Sequence, residues 1–159
     1  MELPTVLASM AEGSITLAGF AAVFRAFGGA EDPDGHSRIR LNIVIEGGLV
    51  VALLCYLPAW ISSAGFSSDA VWRSGSAIGA LWGLFRLMIV SFRIFRSASP
   101  LPVLYPVAVP IGAVSFVAFA ANAAGLLPVT PYSGHLLGTM SLLTTVGVIF
   151  IAQFRAELR

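Results

Sequence analysis

The chain has 159 residues, of which 57% are hydrophobic and 11% charged, and its mean hydropathy is +0.89; a soluble globular domain carries roughly a quarter charged residues, so these proportions exclude one and point to a polytopic membrane protein. A net charge of +1 with no dense basic run excludes a nucleic-acid partner. The single cysteine, Cys55, excludes an intrachain disulfide and a cysteine-rich metal site.

Five apolar segments follow one another at about 4–27, 40–64, 70–96, 103–127 and 132–154. At about 1.5 Å per residue each covers a hydrocarbon core of about 30 Å. The expected fold is an all-α transmembrane bundle of five spans, forming one domain over residues 1–159. The connectors are short, so any site lies within the membrane or at its surfaces.

The first segment opens with MELPTVLASMAEGS. It has no positive residue ahead of its apolar stretch, so it lacks the n-region of a cleaved signal and is expected to stay as a mature helix. Thr5, Ser9, Glu12, Thr16 and Gly19 are spaced four, three, four and three apart and share one stripe. That stripe is expected to face inward, with Leu3, Leu7, Met10, Leu17, Phe20, Phe24 and Phe27 toward lipid. Glu12 is flanked along it by hydroxyls rather than by a cation, which makes it the candidate pore-lining or proton-binding carboxylate. The connector Gly28 to Arg38, GGAEDPDGHSR, is built from turn formers and acids.

The second and third segments carry the strongest charge argument. In the third, Gly75, Gly79 and Gly83 recur every four residues, a glycine zipper that lets another backbone approach. Arg86 follows three residues later on the same face. A lone charge at mid-membrane costs between about 3 and more than 10 kcal/mol, so Arg86 needs a partner. Arg86 lies ten residues from Arg96, and Glu46 lies six from Arg40. This similar depth predicts a buried pair of Glu46 with Arg86, with Asn42 one turn away as an auxiliary hydrogen-bonder. Such pairs often only fix helix register. The arginines at 86, 93 and 96 do not recur every third residue, which argues against a voltage sensor; Arg93 and Arg96 are expected to snorkel to headgroups. At the opposite end Glu12 and Arg73 are expected to form a second pair, with His135 at the same level.

The fourth segment is crowded by Pro100, Pro102, Pro106 and Pro110. Interior prolines remove backbone hydrogen bonds, so the alternative fold has four full spans and a re-entrant or broken segment. Ser115, Ala118, Asn122 and Gly125 align on one face. In the fifth segment Gly134, Gly138, Ser141 and Thr145 repeat the small-residue device, and Asn122 and His135 are the expected buried polar residues.

Orientation follows from the arginines. With the amino terminus outside, Arg25, Arg38, Arg40, Arg93, Arg96, Arg155 and Arg159 fall on the cytoplasmic side, against Arg73 alone outside. Trp60, Trp72, Tyr56, Tyr105 and Tyr132 fall near segment ends, where aromatic anchors belong.

Nothing in the pattern suggests catalysis, and no cofactor or metal is expected. His36 and His135 lie at opposite ends, so they cannot share a metal or a haem within one chain. All nine basic residues are arginine, which excludes a Schiff-base lysine. Ser62, Ser63 and Ser141 have no histidine and aspartate at matching depth for a triad.

The segments AEGSITLAGFAAVFRAFGG, RIRLNIVIEGGLVVALLCYLPAWI and HLLGTMSLLTTVGVIFIAQF resemble a group of small bacterial integral membrane proteins. Those begin with an "I-x-LAGF" helix and end with a Leu-rich helix closed by Gln-Phe. The likeness is carried by Leu17, Ala18, Gly19, Phe20, Gln153 and Phe154. Where the group continues with Gly-Val-Val and a basic pair, this chain has Ala21, Ala22 and Val23, then Arg25 and Gly28-Gly29. The resemblance implies location in a bacterial inner membrane rather than an activity. The functions expected are an oligomeric ion-conducting pore, or a non-catalytic subunit or assembly factor docking other membrane proteins through small-residue faces. A proton-coupled carrier is disfavoured because five unequal spans offer no inverted repeat.

Overall fold

Apolar periodicity, proline and glycine punctuation, and capping residues together divide the chain into helices. The structure, a computed structural model, describes residues 4–27, 36–96 and 105–157. Leu3, Gly28, Gly29, Pro100, Pro102 and Arg159 lie outside these residues, as do the side chains of His36, Arg38, Arg93, Arg96, Tyr105, Gln153, Phe154 and Arg155. The described part is five helices: α1 Thr5–Phe27, α2 His36–Ser63, α3 Ser68–Arg96, α4 Tyr105–Ala123 and α5 Pro131–Glu157.

Local chemistry sets several boundaries. Thr130 caps α5: its Oγ1 accepts from the Ser133 amide at 3.2 Å, and Pro131 begins the helix, where a missing N–H costs nothing. Gly125, at φ 71°, closes α4 in a Schellman arrangement. The Leu126 amide reaches Ala121 O at 2.8 Å and the Gly125 amide reaches Asn122 O at 3.1 Å. Gly65, at φ 83°, ends α2 in the same left-handed conformation.

Residue pairs across the interfaces define an up-and-down bundle. Gly48 meets Ser14 and Asn42 meets Arg25; Pro58 meets Gly75 and Glu46 meets Arg86; Arg73 meets Gly125 and Gly83 meets Phe116; Asn122 meets Gly134 and Ser115 meets Gly138, so sequence neighbours run antiparallel. Among the described residues the fifth helix is the hub, packing on all four others, whereas α1 touches only α2 and α5, and α4 only α3 and α5. One core cluster gathers Leu7, Met10, Val51, Leu54, Trp72, Phe119 and Leu142. A second, at the other end, gathers Ala21, Leu41, Val44, Val146 and Ile149.

Among the described residues three stretches are long and apolar enough to cross a membrane: Thr5–Phe27, Arg40–Ser63 and Pro131–Ala152. In α3, the longest helix at 29 residues, serine, glycine and arginine dilute the apolar content. The apolar part of α4 is the shorter Val109–Ala123. The described part of the proline-rich segment is one continuous helix. Pro106 falls in its first turn, where no amide partner is required, and Pro110 deprives only the Pro106 carbonyl of a bond.

Two expectations about faces are corrected. The stripe Thr5, Ser9, Glu12, Thr16 and Gly19 is exposed on the outside of the bundle, while Leu7, Met10, Ala11, Ser14, Ala18 and Ala21 are buried. The α1 helix lies flat against α2, where Gly48 removes the side chain that would block it: a Cβ there would come within 2.6 Å of the Ser14 carbonyl oxygen. Small buried residues on α1 and a glycine on α2 allow this close backbone approach. The glycines of α3 and α5 do something different. Gly79 and Gly138 both face the Phe119 ring, at 3.0 and 2.6 Å from an added Cβ, Gly83 faces Phe116, Gly75 faces His135 and Gly134 faces Asn122. They form a slot for the side chains of α4 and α5 rather than a seat for another backbone.

Candidate functional site

Among the described residues three groups of polar side chains bear on function: the outer stripe of α1, the Glu46 and Arg86 pair, and a buried network around His135. On α1 the stripe turns its side chains away from every other helix. Thr16 donates to the Glu12 carbonyl at 2.8 Å, so its hydroxyl is spent on its own helix. An added Cβ on Gly13 or Gly19 would meet nothing within 4 Å, which leaves open space beside Glu12. Glu12 and Arg73 do not meet, because α1 and α3 make no contact. Arg73 instead lays its guanidinium on Gly125, with Nη1 2.6 Å from an added Cβ there. This places its charge at the carboxyl end of α4, where unpaired carbonyls favour a cation.

Arg86 Nη1 donates to Glu46 Oε2 at 2.7 Å, linking α3 to α2. The pair forms at the margin of the bundle rather than inside it. The Arg86 side chain is 23% exposed and that of Glu46 56%. Arg86 also lies 5.8 Å from the Trp82 ring centroid, since residues four apart share a helix face. Asn42 does not serve the pair; it accepts from Arg25 and ties α1 to α2.

The buried network begins with a proline. Pro58 inside α2 has no amide to give the Leu54 carbonyl four residues earlier. His135 Nε2 fills that vacancy at 3.0 Å. The donated Nε2 proton fixes the tautomer, so Nδ1 accepts from the Ser76 hydroxyl at 3.1 Å. Asn122 Nδ2 donates to Ser76 Oγ at 2.7 Å and to Pro131 O at 2.9 Å. Four helices thus share one directed chain, from Asn122 to Ser76 to His135 to Leu54, and His135 and Ser76 are fully buried. Trp72 and Phe119 enclose the imidazole at centroid distances of 5.7 and 5.6 Å. A serine bonded to a histidine resembles a nucleophile and its base, but here both groups are fully buried. Each donor in the chain is used within it, and the network pins the helices.

Ser76, Ser115, Gly48 and Pro58 matter more than their sequence signals suggest. Ser115 donates to the Gly138 carbonyl at 2.7 Å and completes the α4 to α5 contact. The one legible signal was Pro58, a proline inside an apolar helix, which announces a carbonyl in need of a donor. Among the described residues no group of three or more His, Cys, Asp or Glu is placed to hold a metal ion. Comparison of the chain with protein families, with curated proteins and with solved structures finds no match.

Proposed function

We propose that the protein is a homo-oligomeric inner-membrane pore in which the outer stripe of α1 faces copies of itself and lines an ion-conducting path. The observation carrying this reading is Glu12. It is exposed on the outer face of α1, the eighth residue of a helix that is long and apolar enough to span. At about 1.5 Å per residue it sits about 10 Å inside the helix start. A carboxylate held there against acyl chains costs several kcal/mol, and a facing subunit or water removes that cost. Thr5, Ser9 and Thr16 extend the polar strip along the axis, and Gly13 and Gly19 leave room for a neighbour.

In this reading all five helices cross the membrane, with the amino terminus outside and the arginine-rich ends in the cytoplasm. The pair of Glu46 with Arg86 then holds two helices in register, and the His135 network fixes four. A second reading, a non-catalytic subunit or assembly factor, draws on the fully spent His135 network and would cover the same α1 face with a different protein.

Ion flux through liposomes separates the two readings. Wild-type protein conducts, and Glu12→Gln changes the flux at least several-fold while leaving the fold intact. Unchanged flux in Glu12→Gln would retire Glu12 as a pathway residue. Absence of flux from wild type would favour the subunit reading.

A further inference from the structure

Between α2 and α4, which make no contact among the described residues, lies a partly open cavity of about 160 Å³, walled at its sides by α3 and α5. Its long axis follows the helices. On α4 the lining runs from Val109 to Phe119, a rise of about 15 Å, and on α3 and α5 it runs from Gly79 to Leu87 and from Leu142 to Ile149. The Phe119 ring, in its slot beside Gly79, forms the inner end. At the opposite end stand Arg40 and Val109, the first residues of the apolar stretches of α2 and α4. The two hydroxyls on the wall are committed to backbone, Ser115 to the Gly138 carbonyl and Thr145 to the Ser141 carbonyl. Both guanidiniums near Val109 are engaged as well, Arg86 with Glu46 and Arg40 elsewhere in the chain. The lining therefore offers an occupant apolar contact along its length, and neither guanidinium gives it a preference for an anion.

We infer that this cavity takes one acyl chain of a bilayer phospholipid from the leaflet on the Arg40 side, with the methyl end against Phe119 and the headgroup outside. Depth selects a chain. The rise of about 15 Å is half of a hydrocarbon core of about 30 Å, so the cavity is as deep as one leaflet. It runs inward from the ends of two apolar stretches, the direction in which an acyl chain leaves its headgroup. Cross-section selects a single chain. An apolar cavity of about 150 Å³ stays dry and holds one benzene, so this one excludes water and has no room for two chains abreast. A chain inside it supplies the contacts that a void beside Phe119, Leu142 and Ile149 would lack. With both guanidiniums engaged, a zwitterionic lipid serves as well as an anionic one. The inference rests on the membrane reading proposed above, but neither on conduction nor on the α1 stripe.

Phe119 and Leu142 are buried, so lipid surrounding the bundle cannot touch them, and their labelling supplies the readout. The full chain is placed in nanodiscs of phosphatidylcholine carrying a photoreactive diazirine near the methyl end of one chain, irradiated, and mapped by peptide mass spectrometry. The expected result is label on Phe119 and Leu142 in addition to the exposed Phe85 and Val117. A diazirine nearer the headgroup should move the internal label to Ile43 and Ile149, which line the opposite end. In Gly112→Leu the new side chain fills the cavity from a position where an added Cβ meets nothing within 4 Å. There the internal label should fall several-fold while that on Phe85 and Val117 stays. Label confined to exposed residues, or internal label unchanged in Gly112→Leu, would overturn the inference, and the wild-type map decides even if that variant fails to reconstitute. The same probe built on phosphatidylglycerol should label Phe119 equally; internal label from the anionic lipid alone would overturn it too. Absence of label from the exposed residues as well would overturn the membrane reading itself, whereas label outside with none inside overturns this inference alone.

Discussion

His135 is held on both ring nitrogens, and its worth is set by what its loss would strand. Replacing it with leucine leaves the Leu54 carbonyl without its donor and the Ser76 hydroxyl proton without its acceptor in a dry interior, where an unmet polar group costs about 1–3 kcal/mol. His135→Leu is therefore expected to lower stability by about 2–4 kcal/mol, read by denaturation in detergent. Pro58→Ala restores the amide that Leu54 lacks, so it should recover about 1 kcal/mol in the His135→Leu background and less in wild type. Equal effects in both backgrounds would show that the proline and the histidine are not linked through that carbonyl. Glu46 and Arg86 call for the same kind of cycle. Each single change to glutamine should cost about 1–2 kcal/mol, and the double change should cost less than the sum. The pairing of these two was legible from depth alone, because a charge within an apolar run has few candidates near it. The His135 network was not legible in full, because one of its members is a backbone carbonyl, which the sequence exposes only indirectly through Pro58.

At the scale of the helix, the five apolar segments correspond to the five described helices, since length, turn chemistry and capping are local properties. Which face of each helix turns inward is not local. Small and polar residues mark a close contact, but the pattern is the same whether the contact is with another helix of the chain or with another chain. The α1 stripe shows this: Ser14 and Ala18 pack on Gly48, while Ser9, Glu12 and Gly13 face out. Glycine spacing has the same ambiguity, since a gap four residues wide on α3 and α5 admits the Phe119 ring as readily as a backbone. Two leucine substitutions on opposite faces test the assignment. Gly48→Leu drives a side chain into the Ser14 carbonyl and is expected to destabilise the bundle by about 2–4 kcal/mol. Gly13→Leu meets open space and should leave helicity and thermal stability unchanged, or raise them slightly through better helix propensity. It should nevertheless disturb any assembly built on the α1 face. A Gly13→Leu protein that unfolds would place that face inside the bundle after all.

For the whole molecule, a polar stripe on the outside of a membrane-length helix has to be covered by something. The hub position of α5 and the committed His135 network make the single bundle self-sufficient on its inner side. In the proposed topology its outer side is left with a carboxylate at a depth where lipid cannot solvate it. In the proposed pore, self-association through α1 would cover it without calling on another protein, and cyclic symmetry would bring several Glu12 residues around one axis. The most direct check is the protein mass of the detergent-solubilised complex by size exclusion with light scattering. The account predicts a discrete multiple of 16.7 kDa that falls toward a single chain in Gly13→Leu. A wild-type mass of one chain at every concentration would contradict it.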